Sequence, residues 1–199
     1  MHRPMPRRSE KKRSIASCVL WVAVMLAGCI FMLRPLAVWG GPVTGAEYNV
    51  KIGFIYNFAK FITWPPEAFE KNPDTLVFCF ATEDPSVDVF YKLDGKIVSG
   101  RKIKVVAYQD GACLEQSQIL FFATQNKAFI QQVLELTQGR SILTIGEVDG
   151  FTQWGGVIDF FEEQDRLRFK VNIDAANRER LKVSSQLLVS AQIVREEQD

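Results

Sequence analysis

Apolar residues recur at two different spacings along this chain, and the spacing indicates which segments are helices and which are strands. Over residues 49–64 they recur every three or four positions, which predicts a helix with one buried face. Pro65 and Pro66 end this helix, because proline lacks the N–H that a helix needs. The buried face is rich in aromatic residues, which favours packing against a sheet and leaves a dimer surface as the alternative.

Short segments rich in apolar and β-branched residues predict the strands, and the first of them is apolar throughout. They cover residues 76–81, 102–108, 119–123 and 142–146. Helices are predicted around residues 86–93 and over residues 126–138, where Gly139 follows at the position that favours glycine. Strands and helices that alternate in this way are typical of a mainly parallel sheet covered by helices.

The pattern changes after Gly150. Residues 157–161 and 167–173 are predicted strands, and the polar turn 162–165 between them makes an antiparallel hairpin. Asp174 is then expected to cap a final helix over residues 175–194. The predicted fold class is α/β: a single domain with a mixed, mainly parallel β-sheet flanked by helices, and with a C-terminal antiparallel hairpin and helix.

The first 46 residues have the composition of a targeting segment. Six Lys or Arg stand against one Glu in residues 1–14, and the 19 residues 15–33 carry no charge. This predicts an export signal, or a membrane anchor because the apolar stretch is long enough to span a bilayer. Either way residues 47–199 form the exported domain, which in a bacterium places it in the periplasm.

Three ways of processing this leader remain open. Small residues at Thr44 and Ala46 favour cleavage before Glu47. The sequence that ends in Cys29 resembles a lipoprotein box, which would leave a lipid on Cys29. The third route keeps the segment as an anchor.

The charge of the exported domain argues against nucleic acid as a partner. From Glu47 onward there are 17 Lys and Arg against 22 Asp and Glu, a formal charge of 17 − 22 = −5. No basic stripe is present to neutralise phosphates.

Cys79 and Cys113 are the only cysteines after the leader, and an oxidising compartment favours a disulfide between them. The alternative is that Cys79 is a small buried apolar residue.

The residues that carry most chemistry are scarce. The chain's one histidine, His2, lies in the leader, which excludes a histidine base or a histidine-ligated metal in the domain. We therefore expect no catalytic residue, no metal and no cofactor. The carboxylates are interpreted as solvated surface groups, including Asp159. Glu147 is the exception, because it follows a predicted strand where parallel sheets border ligand crevices.

The glycine-rich stretch GEVDGFTQWGG, residues 146–156, is the candidate recognition site. Its glycines do not match a nucleotide-binding loop. Phe151 and Trp154 are large apolar residues in a short connection, so they either form a buried lid or bind a partner together with Gly155 and Gly156.

Residues 142–190, together with NVKIGFIYNFAKFITWPPEAF at residues 49–69, resemble the YfiR family. The resemblance implies a non-enzymatic periplasmic regulator that binds the periplasmic part of an inner-membrane diguanylate cyclase and lowers cyclic-di-GMP synthesis. We also expect the domain to form a homodimer. Some members carry a second cysteine pair near residues 146–156, which this chain lacks. The alternative function is a periplasmic small-molecule binding or sensor module.

Overall fold

The computed structural model describes residues 45–83 and 87–196, which belong to one compact unit over residues 43–199. Cys29 and the predicted export segment, apart from its last two residues, lie outside the described residues. Within the two described ranges, no helix is both long and apolar enough to cross a membrane.

Helices and strands alternate through most of the described chain. The α-helices are α1 (Gly45–Phe61), α2 (Lys127–Thr137), α3 (Ile173–Arg178) and α4 (Ser185–Val189). The strands are β1 (Ile62–Thr63), β2 (Thr75–Thr82), β3 (Ile97–Val98), β4 (Arg101–Ala107), β5 (Ile119–Ala123), β6 (Leu143–Gly146), β7 (Ile158–Glu163), β8 (Arg166–Asn172), β9 (Lys182–Val183) and β10 (Gln192–Val194). Short 3₁₀ helices cover Pro66–Phe69, Val87–Leu93 and Ala112–Glu115.

The main sheet has eight strands in the order β10-β8-β7-β6-β5-β2-β4-β3. Across the sheet, the adjacent strands β4, β2, β5, β6 and β7 are parallel to one another. Strands β7 and β8 form the antiparallel hairpin, with Phe160 opposite Phe169. Gln164 and Asp165 connect the hairpin with φ of 53° and 58°, as a tight two-residue turn requires. The predicted fold class is confirmed.

Helix α1 covers one face of the sheet with its aromatic residues, as its apolar pattern predicts. The ring of Phe58 lies 4.9 Å from that of Phe169 and 5.6 Å from that of Phe160. Helix α2 covers the other face. The Asn126 side chain caps its start by accepting a hydrogen bond from Phe129 N at 3.1 Å, and Gly139 follows its end with φ of 71°.

The predicted disulfide is confirmed. Cys79 in β2 and Cys113 in the Ala112–Glu115 helix are bonded, with a Cα–Cα distance of 6.3 Å. Both cysteines are buried among the apolar residues beneath α2. The bridge therefore ties the Ala112–Glu115 helix to β2.

The prediction of one long final helix over residues 175–194 is wrong. The helix ends at Arg178, because Arg180 adopts a left-handed backbone conformation with φ of 56°. The chain then forms β9, which pairs with β1, and later β10, which pairs with β8. The predicted cap is also wrong: the Asn172 side chain accepts the hydrogen bond from Ala175 N at 2.9 Å, whereas Asp174 accepts one from Glu196 N.

Candidate partner-binding loop

The candidate recognition residues lie in the connection between β6 and β7, which we call the 147–156 loop. It begins at the carboxyl end of β6 and crosses the sheet on the same face as α2. Backbone hydrogen bonds from Phe151 N to Val148 O and from Trp154 N to Gly150 O fold it into consecutive turns. Gly150 and Gly155, with φ of 92° and 91°, supply conformations that other residues rarely adopt.

Phe151 is fully buried, with 0% of its surface exposed. Its ring packs 5.7 Å from that of Phe122, between Gly146 and Gly156. A Cβ atom at Gly146 would lie 2.4 Å from the ring, and one at Gly156 would lie 2.1 Å from it. Of the two alternatives for Phe151, a buried lid and an exposed contact residue, the structure agrees with the buried lid. Gly156 is buried and serves the packing of this ring.

Trp154 is partly exposed and lies at the surface of the same loop. Its indole covers Gly150, where a Cβ atom would lie 3.1 Å from the ring. The ammonium group of Lys127, at the start of α2, lies 5.8 Å from the ring centroid. Trp154 therefore packs on the backbone of its own loop and is still partly exposed to solvent.

The far end of the loop is attached to the C-terminal segment. Arg178 donates a hydrogen bond from Nη2 to the Gly155 carbonyl at 3.3 Å and forms an ion pair with Glu196 at 3.0 Å. Asn172 donates from Nδ2 to the Thr152 carbonyl at 2.8 Å. We call Trp154, Lys127 and Arg178 the tryptophan surface: Lys127 lies near the indole face, and Arg178 bonds the backbone carbonyl of the next residue, Gly155.

Glu147 lies just beyond β6, as predicted, but its carboxylate is already bound. Lys51 of α1 donates to Oε2 at 2.5 Å, and the Tyr48 hydroxyl donates to Oε1 at 3.3 Å. The Lys51 and Glu147 side chains are 5% and 7% exposed, and Lys51 also pairs with Glu47. The structure therefore places an ion pair where the sequence predicts a ligand crevice.

The protonation of this pair reflects burial and proximity together. Burial raises the pKa of Glu147, and the neighbouring Lys51 ammonium partly offsets the rise. Burial alone would lower the pKa of Lys51, but Glu147 and Glu47 outweigh it and raise that pKa. Because Lys51 and Tyr48 already bind its carboxylate, Glu147 is poorly placed to act as an acid or a base on a substrate.

Asp159 lies on β7 beside the loop, and its interpretation as a solvated group is wrong. Its side chain is 2% exposed and pairs with Lys170 at 3.7 Å. Its Oδ1 atom has no hydrogen-bond partner among the described residues. Burial raises the pKa of Asp159 to about 7, against the opposing charge of Lys170, and the charges of Asp149 and Glu147 add to the rise.

Sequence reasoning missed Lys51 as a partner of Glu147 and missed the burial of Asp159. Two signals were available: Glu47 and Lys51 have the spacing of an ion pair on one helix face, and Asp159 is the one charged residue in the predicted strand 157–161. In the part of the chain that the structure describes, no group of three or more His, Cys, Asp or Glu could hold a metal ion.

Comparison with protein families adds one finding. A family model described as YfiR/HmsC-like matches residues 48–192, which span α1 through the start of β10 and include the whole 147–156 loop. No curated protein matches this sequence.

Proposed function

Because this chain belongs to the YfiR/HmsC-like family, we propose that it is an exported, non-enzymatic regulator of an inner-membrane diguanylate cyclase. The domain of residues 47–199 works in the periplasm, while residues 1–46 direct export, either cleaved or kept as an anchor. It binds the periplasmic part of the cyclase and lowers cyclic-di-GMP synthesis. The family match supports the regulatory class, and the occupied state of Glu147 supports a role without catalysis.

The tryptophan surface is the proposed contact with the cyclase. One observation carries this proposal: Trp154 is partly exposed although its indole packs against Gly150 and lies near the Lys127 ammonium group. A fixed aromatic side chain loses little entropy on binding, which is why tryptophan and arginine are frequent at the centre of interfaces. The exposed Lys127 favours a partner segment that combines an apolar side chain with an acidic group, whereas the charge of Arg178 is already paired with Glu196.

Phe151, Gly155 and Gly156 have a supporting role in this proposal. Phe151 and Gly156 pack the loop against β6, and Gly155 presents its carbonyl to Arg178. Changes at Phe151 and Gly156 act on stability first, whereas a change at Trp154 acts on binding. This difference separates the surface from its support.

The experiment measures binding of the purified protein to the periplasmic domain of the cyclase by biolayer interferometry. Trp154→Ala is expected to weaken binding by about 2 kcal/mol, the range of interface hot spots, with an unchanged melting temperature. The matched control is Ile97→Ala, another exposed apolar residue, on edge strand β3 at the far side of the sheet. Equal affinities of Trp154→Ala and the native protein would remove the tryptophan surface from the interface.

Homodimerisation is the second part of the proposal. Its support is the edge strand β10, which has one neighbour among the described strands, together with two exposed apolar residues: Ile193 in β10, at 51%, and Val189 shortly before it, at 88%. An exposed strand edge with apolar neighbours favours pairing with a second copy. Light scattering of the purified protein tests this, and a monomer at micromolar concentration would contradict it.

A small-molecule sensor with its pocket at Glu147 has less support. The carboxylate would have to leave Lys51 and Tyr48 before it could bind a ligand. A different part of the domain offers a better place for a small molecule.

A further inference from the structure

A cavity of about 340 Å³ lies at the end of the sheet opposite to the 147–156 loop. Leu76 and Arg101, at the amino ends of β2 and β4, form part of its lining, whereas the loop follows the carboxyl end of β6. The volume is at the small end of the range of ligand pockets, roughly 300–1,000 Å³. The apolar walls come from Ala59, Ile62, Trp64, Phe69, Leu76 and Val98.

The position of the aromatic walls is fixed by the fold. Trp64 is buried and donates a hydrogen bond from Nε1 to the Gln118 carbonyl at 3.1 Å. The ring of Phe69 packs 6.3 Å from that of Trp64 in an edge-to-face arrangement. A flat apolar molecule would therefore enter a site whose walls are already in place, which limits the entropy lost on binding.

Arg101 adds a positive charge to this apolar cavity. Its guanidinium group lies 3.7 Å from the centroid of the Phe69 ring, and the side chain is only partly exposed. Its Nε atom is buried without a hydrogen-bond partner in the described part of the chain. No carboxylate of a described residue forms an ion pair with Arg101.

A guanidinium in this setting favours one kind of ligand. Arginine presents N–H donors in a planar fork that matches the two oxygens of a carboxylate. The Phe69 ring beneath it attracts the guanidinium through a cation–π contact, and the apolar walls beside it favour a hydrocarbon body. An isolated inorganic anion would leave those walls in contact with water, and a neutral hydrocarbon would leave the arginine without an acceptor.

We propose that this cavity binds a small organic monocarboxylate with a flat or branched apolar body, its carboxylate on Arg101 and its body against Trp64 and Phe69. The site does not depend on the proposed regulatory function, because binding is measured on this protein alone. It also lies apart from the tryptophan surface, at the opposite ends of the strands.

The test titrates trans-cinnamate, 4-phenylbutyrate and octanoate into the purified protein. Binding is measured by calorimetry and by the NMR signal of the Trp64 indole N–H. We expect at least one of these acids to bind with a Kd below about 1 mM and to shift the Trp64 signal while the Trp154 signal stays in place. The alcohol that corresponds to the best acid should bind about tenfold to a hundredfold more weakly, the worth of a charge-assisted hydrogen bond.

Three variants and one control locate the site. Arg101→Gln should weaken binding of the best acid by the same factor, and Ala59→Leu should abolish it by filling the cavity. Arg166→Gln, which removes an exposed arginine at the hairpin turn, should bind as the native protein does. Arg101→Lys keeps the positive charge but not the planar pair of N–H donors, so it should bind the acid with intermediate affinity. This variant provides the test if Arg101→Gln is too unstable to measure.

Three results would overturn the proposal. The first is the absence of binding by all three acids at millimolar concentration. The second is equal affinity for acid and alcohol. The third is unchanged affinity in a folded Arg101→Gln variant.

Discussion

The packing of the 147–156 loop can be tested by adding a single methyl group. Gly156→Ala would place a Cβ atom 2.1 Å from Cε1 of Phe151, far inside van der Waals contact. Gly156 has a backbone conformation open to other residues, so the cost is steric. Overpacking of this kind destabilises by about 1–3 kcal/mol.

The same reasoning predicts how this cost depends on Phe151. Phe151 is 0% exposed, so Phe151→Ala should destabilise the protein by about 3–5 kcal/mol through the cavity it leaves. Without the ring, the new methyl group at Gly156 has space. The double variant should therefore be more stable than the sum of the two single changes predicts, by about 0.5–3 kcal/mol.

The assay is urea unfolding followed by circular dichroism, with the free energy of unfolding taken from the midpoint and slope of each variant. The control is Gly53→Ala, an exposed glycine in α1 whose added Cβ atom would meet nothing within 4 Å. It should stabilise the protein by about 0.5–1 kcal/mol, because alanine favours a helix over glycine. Additive costs at Phe151 and Gly156 would refute the packing described for the loop.

Three further predictions concern buried charge and the disulfide. Lys51→Met should destabilise by about 3–5 kcal/mol in urea unfolding because it leaves Glu147 unpaired, whereas Lys51→Met with Glu147→Leu should restore most of the loss. Burial raises the pKa of Asp159 from 3.8 to about 7. The group therefore contributes its full share to the stability of the native state below pH 4, and this contribution is lost as the pH rises through 7. Asp159→Asn should therefore gain up to about 4 kcal/mol relative to the native protein between pH 4 and pH 8. Replacing Cys79 and Cys113 by alanine should cost about 2–5 kcal/mol, and thiol titration of the denatured, unreduced native protein should find no free thiol from this pair.

Each of these has an outcome that would contradict it. The ion pair is unimportant if the double change at Lys51 and Glu147 costs as much as Lys51→Met alone. If Asp159→Asn has the same effect on stability at pH 4 and at pH 8, the pKa of Asp159 is not raised. The bridge is absent if both thiols titrate.

The sheet was predictable from the sequence because its strands carry their own signal. Residues 76–81 are apolar throughout, and the alternation of apolar and polar residues from Leu167 to Val171 predicts a strand with one solvent-exposed face. The C-terminal segment was not predictable in the same way. A helix over residues 175–194 is prevented by the left-handed turn at Arg180 and by the pairing of Val183 with Ile62, which is far away in the sequence.

The candidate site was predictable in position and only partly in detail. The glycine pattern located the 147–156 loop. The burial of Phe151 could not be predicted, because it depends on how closely the ring approaches Gly146 and Gly156 in the folded protein. The partner of Glu147 was hidden for a similar reason, because Lys51 lies 96 residues away. Contacts between residues far apart in the sequence cannot be predicted from local sequence patterns alone.

The central claim is that this protein acts from the periplasm to lower cyclic-di-GMP synthesis by the cyclase. The most direct measurement is the cellular cyclic-di-GMP concentration in a strain that lacks this protein, complemented by the native chain or by a chain without residues 1–46. Deletion should raise the concentration, the native chain should restore it, and the chain kept in the cytoplasm should not. An unchanged concentration after deletion, or full restoration by the cytoplasmic form, would contradict the account.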